Sequence, residues 1–290
     1  MLSKYRAIRL AAPVVGRVPA LSYPLATAIG TCLWYVNVQH RRNLIRNMLP
    51  FCDGDRARAS REARVAYKNI ARYWVDVSTV PHRDMANFER RHLTIRNGER
   101  LAVIDQPGPV IIVSAHTGNA ELALQALTFR GRPFVALVEN VQPPQLADYL
   151  VRLRSAAGGQ FQVADFGGIR ACLEALRSGG TVGIMADRDL QSTGICATVA
   201  GRRVKLPRGP WELARKTGAT VLPVFASRDR TDHFSIDVEE SFRVGCQGED
   251  PEEEIHAAVD RWAGLLDAHL RRHPGQWIVL EDFWRVHRCG

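Results

Sequence analysis

The run Ser114-Ala-His-Thr-Gly-Asn-Ala-Glu121 gathers the residue types most able to do chemistry in this chain. The apolar stretch Val110–Val113 before it reads as a buried strand, and the pattern from Leu122 to Phe129 after it reads as a helix. His116 is therefore expected where a strand gives way to a helix, with Glu121 in the first helical turn if Gly118 caps it. A histidine so placed can take a proton from a hydroxyl, and a carboxylate that bends back can fix its tautomer. The same spacing also suits a capping-box glutamate beside a histidine with no special role. Along one continuous helix five residues would set the two side chains about 140° apart, so they meet only if His116 lies before the helix. No metal is expected, because His-x-x-x-x-Glu is not the His-Glu-x-x-His spacing. Gly-x-Ser-x-Gly, a Walker loop and Gly-x-Gly-x-x-Gly are all absent from the sequence.

Other charged groups follow apolar runs farther along. Glu139 ends the expected strand Phe134–Val138, on the same sheet edge as His116, or is simply a solvated loop carboxylate. Arg154 lies near the end of the expected helix Pro144–Ala156, where a cation also suits the helix dipole. Asp187-Arg188-Asp189 ends the expected strand Thr181–Met185 and reads as a loop or as part of a site. Lys205-Leu206-Pro207-Arg208-Gly209-Pro210 leads into a helix whose first N–H groups suit a phosphate or thioester oxygen, or is a loop with a good cap.

The elements that must position these groups change character along the chain. Residues 1–97 read as a helical, basic, membrane-associating region. Its long amphipathic stretch, Asp55 to Val80, follows the Asp53-Gly54-Asp55 turn and stops at Pro81. From residue 98 to 290 short apolar runs alternate with helical patterns. Strands are expected at Val110–Val113, Phe134–Val138, Phe161–Val163, Thr181–Met185, Val221–Phe225 and Phe234–Val238. Helices are expected at Asn119–Phe129, Pro144–Ala156, Ile169–Arg177, Pro210–Lys216 and Pro251–Arg272. This is an α/β pattern with a central, largely parallel sheet flanked by helices, and ligands of such sheets gather at the carboxyl ends of the strands.

Charge is unevenly spread. The first 100 residues hold 18 of the 39 Lys/Arg but 7 of the 30 Asp/Glu, so the net +9 of the chain resides in its N-terminal third. That asymmetry points to an anionic surface, membrane or nucleic acid. The 22 uncharged residues Val18–Gln39, followed by Arg41 and Arg42, favour a membrane. Pro19, Pro24 and Gly30 argue against a clean span and for an interfacial or buried helix from Leu25 to Val38. The six cysteines (Cys32, Cys52, Cys172, Cys196, Cys246, Cys289) form no Cys-x-x-Cys pair and read as reduced thiols.

Taken in order, several segments resemble the bacterial lysophospholipid acyltransferase superfamily, and within it the lipid A lauroyl/myristoyl and phosphatidylinositol mannoside acyltransferases. They are Arg42-Asn43-Leu44, His116–Glu121, Ala186-Asp187-Arg188-Asp189-Leu190, Leu206-Pro207-Arg208-Gly209-Pro210, Leu213-Ala214 with Thr217-Gly218-Ala219, and Val221-Leu222-Pro223-Val224. The resemblance implies a membrane-associated O-acyltransferase on the cytoplasmic face of the cell inner membrane, peripheral or single-anchored. It would move a fatty acyl group from acyl-CoA or acyl carrier protein (acyl-ACP) to a hydroxyl of a glycolipid or lysophospholipid. Its partners would be the acyl donor, anionic membrane lipid and the glycolipid acceptor. No cofactor beyond that co-substrate and no nucleic acid would be needed. His116 and Glu121 would be catalytic. Glu139 and Arg154 match positions that line the acceptor site in the mannoside branch. Gly118, Asn119, Asp187 and Arg208 are further substrate-binding candidates, Gly118 and Arg208 as donors to the oxyanion. Ala120 stands where a Trp is common, and Val199-Ala200-Gly201 where an aromatic pair precedes the Gly, so acyl length and acceptor stay open. An acyl thioesterase or lipase-type hydrolase, or a non-catalytic membrane or nucleic-acid adaptor, are the rival readings.

Overall fold

The computed structural model describes residues 2–127, 134–245 and 250–290. The end of the expected helix Asn119–Phe129 and Cys246 lie outside them. Helices α1 (Leu2–Arg17), α2 (Pro19–Val36) and α3 (Val38–Met48) precede the long α4 (Arg56–Thr79), and all three pack on it. Asp55 starts α4 as its N-cap, accepting from the N–H groups of Ala57 at 2.8 Å and Arg58 at 3.0 Å. Pro19 stands at the start of α2, where its missing N–H has no cost.

α2 turns one face to α4 and the other outward. It buries Tyr23, Ala26, Gly30 and Trp34, and exposes Leu21, Leu25, Ile29 and Leu33 at four-residue steps. Among the described residues no helix is long and apolar enough to cross a membrane. The expected helix Leu25–Val38 instead breaks at Asn37, whose side chain caps α3.

After α5 (Met85–His92) come β1 (Leu93–Arg96), the short α6 (Ala102–Asp105), β2 (Val110–Ser114), α7 (Ala120–Leu127), β3 (Phe134–Val138) and α8 (Pro144–Ser155). Then follow β4 (Gln160–Val163), α9 (Phe166–Arg177), β5 (Thr181–Met185), β6 (Ile195–Val199), β7 (Arg202–Leu206), α10 (Gly209–Thr217), β8 (Thr220–Arg230), β9 (His233–Val238), β10 (Phe242–Arg243), α11 (Pro251–Arg272) and α12 (Phe283–Val286). The main sheet runs β1-β9-β8-β2-β5-β3-β4, with β10 paired to β8. Its pairs are parallel except β8 with β9 and β10 with β8. Helices cover it, so β2 is buried throughout and apolar up to its last residue, Ser114. Alternate residues serve opposite faces: Ile111 and Val113 join a core with Leu176, Trp262 and Leu266, while Val110 and Ile112 pack with Phe134, Leu222 and Ile236.

Three features depart from the sequence reading. β1 lies in the stretch expected to be helical and pairs with β9, so the expected boundary at 97/98 falls directly after a strand of the sheet. A β6–β7 hairpin follows β5 where no strands were expected. Cys196 and Cys289, expected as free thiols, form a disulfide across 93 residues. The C-terminal segment runs beside β7, where Lys205 N–H donates to His287 O at 2.6 Å, and this brings the two Cα atoms within 6.0 Å. Sequence spacing carries no sign of that approach. Cys32, Cys52 and Cys172 are free.

Candidate active site

β2, β3 and β5 are parallel neighbours, so their carboxyl ends share one edge. A cavity of about 650 Å³ opens there, lined by His116, Gly118, Asn119, Glu121, Glu139 and Arg154 among others. The expected residues are therefore together. Their partnerships differ from those expected.

His116 meets Asp187, not Glu121. Its Nδ1 lies 2.7 Å from Asp187 Oδ1, and its backbone N–H donates to Oδ2 at 3.1 Å. The cause is register: Ser114 pairs with Met185 across β2 and β5, so two residues farther on each chain His116 and Asp187 stand level. Asp187 is fully buried and accepts a third bond, from Trp277 Nε1 at 2.8 Å. Burial alone would raise its pKa, but the imidazole and the N–H donors hold it down to about 2, from 3.8. The same carboxylate outweighs the burial of His116 and raises that pKa above 6.5. With Nδ1 occupied, Nε2 is the nitrogen left to face the cavity.

The loop carrying His116 is clamped by a segment the sequence reading had not singled out. Ile278 N–H donates to His116 O at 2.8 Å, and Gly118 N–H to Gln276 O at 3.0 Å. Gly118 has φ +56°, and a Cβ there would fall 2.6 Å from Ala226 O, so only glycine fits. Its N–H is engaged with Gln276, which removes it as the expected oxyanion donor. Asn119 is engaged at both ends: Oδ1 caps α7 by accepting from Leu122 N–H at 3.0 Å, and Nδ2 donates to buried Asp76 at 2.8 Å. Asp76 also receives the Tyr23 hydroxyl at 2.7 Å and the guanidinium of Arg228. Asn119 thus shapes the loop while lining the cavity.

Glu121 occupies the cavity wall between α4 and α8. Its Oε2 accepts from the Tyr73 hydroxyl at 2.7 Å and from Arg154 Nε at 2.8 Å, and Arg154 Nη2 donates to the Tyr73 oxygen at 2.5 Å. Burial, with Glu121 alongside, pushes the Tyr73 phenol well above its ordinary range. Arg154 is itself buried and stays charged because Glu121 faces it.

Glu139 is partnered by Arg188, whose Nη1 donates to it at 2.9 Å. The other two nitrogens of that guanidinium fork onto Glu281, at 2.9 and 2.8 Å. Glu281 accepts from His287 as well, and these partners overcome its burial to hold its carboxyl at about 2, from 4.5. Arg208 sits at the cavity rim before α10, its guanidinium bound to Glu212 at 2.6 Å and to Glu252 at 2.8 Å. Among the described residues no group of three or more His, Cys, Asp or Glu side chains is placed to hold a metal ion.

Tyr73, Trp277, Arg188 and Glu281 were not foreseen as site residues. Arg188 was in view within Asp187-Arg188-Asp189, a charged triplet after a strand. Tyr73 and Trp277 carried no sequence signal, because each reaches the site through the packing of a distant element.

The chain matches the model of the bacterial lipid A biosynthesis acyltransferases over residues 13–286. It is 26% identical over 226 residues to a phosphatidylinositol mannoside acyltransferase of Mycolicibacterium smegmatis, covering 76% of this chain and 71% of that one. The phosphatidylinositol mannoside acyltransferase of Mycobacterium tuberculosis is 28% identical over 228 residues, 75% of this chain and 68% of its own length. The solved 1-acyl-sn-glycerophosphate (LPA) acyltransferase PlsC of Thermotoga maritima aligns over 87% of this chain and 98% of its own, at 16% identity and a TM-score of 0.40. With the family model matched over nearly the whole length, the chain belongs to the bacterial lipid A biosynthesis acyltransferase family.

Proposed function

We propose that the protein transfers a fatty acyl group from a thioester donor, acyl-CoA or acyl carrier protein, directly to a hydroxyl of a glycolipid acceptor, with His116 as general base. The observation that carries this reading is the bond from Asp187 to His116 Nδ1, which leaves Nε2 as the basic nitrogen on the cavity. Nε2 takes the hydroxyl proton as the acceptor oxygen attacks the thioester carbonyl. The carbon–sulfur bond breaks on collapse, and the imidazolium returns the proton to the leaving thiolate. Asp187 fixes the tautomer and stabilises the imidazolium. We assign the acceptor to the wall where Tyr73 and Arg154 hold Glu121, and where Glu139 adds a carboxylate suited to sugar hydroxyls. The 26–28% identity to phosphatidylinositol mannoside acyltransferases favours a mannosylated phosphatidylinositol as acceptor.

The apolar row Leu21, Leu25, Ile29 and Leu33, continued on α1 by Leu10 and Val14, supports peripheral seating on a membrane. The deciding experiment is product analysis by mass spectrometry with palmitoyl-CoA, with and without mannosylated phosphatidylinositol or a lipid A precursor. Acylated acceptor is expected in the acceptor-containing reactions. Free fatty acid at the same rate with or without acceptor would make the protein a hydrolase.

A further inference from the structure

Arg42-Asn43-Leu44 has no part in the chemistry above. The structure divides its three side chains. Leu44 is fully buried against α4, and Asn43 donates to Leu280 O at 2.9 Å. Arg42 points the other way, into a second cavity of about 220 Å³ lined by Arg42, Ile45, Arg46, Leu49 and Arg56. Three arginines thus border a cavity whose floor is apolar, formed by Ile45 and Leu49. Among the described residues Arg42 and Arg56 belong to no ion pair, and Arg46 spends only Nη1, on Asp282 at 3.0 Å. The guanidinium groups of Arg42 and Arg56, with the part of the Arg46 fork not spent on Asp282, are suited to a cluster of phosphate oxygens at the cavity mouth.

The floor adds a second property. Val38, Arg42 and Ile45 follow one another at steps of four and three, so they share a face of α3. Val38 is exposed, and Tyr35 and Val36 just before it are exposed too. The apolar surface of α2 therefore runs into the arginine pocket. A ligand with a phosphate head and an apolar continuation fits both parts, whereas a free anion uses only one.

We infer that the Arg42–Arg46–Arg56 pocket is a headgroup site for the phosphodiester of an anionic phospholipid. This rests on the peripheral seating proposed above and is independent of the chemistry at His116. Its position also gives it a use. Asn43 and Asn47 of α3 hold the carbonyls of Val279, Leu280 and Glu281, and Leu280 and Glu281 line the active-site cavity. A lipid bound at this pocket fixes how that cavity faces the bilayer.

The test uses the full-length protein and monomeric dihexanoyl-phosphatidylglycerol below its critical micelle concentration, followed by titration calorimetry. Arg42→Lys with Arg56→Lys keeps the charge and removes the forks, and is expected to weaken binding by about tenfold or more. Arg177→Lys with Arg243→Lys, elsewhere on the surface, is expected to leave it unchanged, as is His116→Ala. Inorganic phosphate and coenzyme A at equal concentration are expected not to displace the lipid. The inference is overturned by absent binding to the wild type, or by equal binding to the paired Lys variant, which would mean a diffuse field. Displacement by coenzyme A would assign the pocket to the acyl donor, and displacement by inorganic phosphate would make it a bare anion site. Loss of transfer at His116 with headgroup binding intact separates failure of the two readings.

Discussion

Asp187→Asn isolates the tautomer of His116. Asp187 Oδ2 faces two groups that can only donate, the backbone N–H of His116 and the indole N–H of Trp277, while Oδ1 faces His116 Nδ1. An asparagine here must turn its carbonyl to the two fixed donors. Its NH₂ then points at Nδ1, which must accept, and the ring proton moves to Nε2. The nitrogen on the cavity becomes an N–H and cannot take a proton from the acceptor. The equivalent change in a serine protease triad, a known case, costs about 10⁴-fold in rate. About 10³- to 10⁴-fold is expected here, or roughly 4 to 5.5 kcal/mol at 1.36 kcal/mol per tenfold. The assay is kcat/KM for acyl transfer between about pH 5 and 9, with thermal melting as a fold check. Wild type should lose activity on the acid side with a midpoint above 6.5, because Asp187 raises the His116 pKa and only neutral imidazole is a base. A folded Asp187→Asn protein that loses less than about tenfold, with an unmoved acid limb, would refute the reasoning.

Four further outcomes are expected. Gly118→Ala should lower stability by about 1–3 kcal/mol in thermal or denaturant melts, since φ is positive and Ala226 O blocks the new methyl; an unchanged melt would show that the loop adapts. Glu139→Gln and Tyr73→Phe should raise the KM for acceptor more than they slow basal thioester hydrolysis, the second also costing about 1 kcal/mol of stability for its lost bonds; equal loss of both rates would place them with the donor or the fold. Asp187 and Glu281 have pKa values depressed to about 2 from 3.8 and 4.5, so their stabilisation is present above those ordinary values and is lost as pH falls toward 2; a melting temperature flat across that window would contradict it. Leu21→Gln with Leu25→Gln, at exposed positions of α2, should reduce flotation with anionic liposomes while leaving the melt unchanged; undiminished flotation would move the membrane contact elsewhere. Deleting the first forty residues is a poorer test, because it would strip Tyr23, Ala26 and Trp34 from α4.

Local pattern carried much of this fold. β3, β5 and α11 span the residues expected of them, because each is an apolar run or periodic stretch bounded by Gly, Pro or a cap. β1 was hidden in a basic, polar stretch whose strand character comes from pairing with β9. The β6–β7 hairpin turns at Ala200-Gly201, both at positive φ, and an alanine carries no sequence signal for that conformation. At the site, His116 lies between strand and helix as its flanking pattern implies, but its carboxylate does not come from the same stretch of chain. The partner came from the next strand, and only the order of β2 beside β5 makes Asp187 the neighbour. Sequence separation hid the Cys196–Cys289 bond in the same way.

The most direct test of the account is acyl transfer by His116→Ala, with folding followed by thermal melting. His116 is partly exposed on the cavity and its backbone bonds do not depend on the ring, so the variant should fold. Transfer is expected to fall by at least about 10²-fold, the low end of what a positioned base supplies, in a variant that still melts cooperatively but at a lower temperature, because buried Asp187 loses its imidazole partner. Near-normal turnover by the folded variant would contradict a proton transfer to His116.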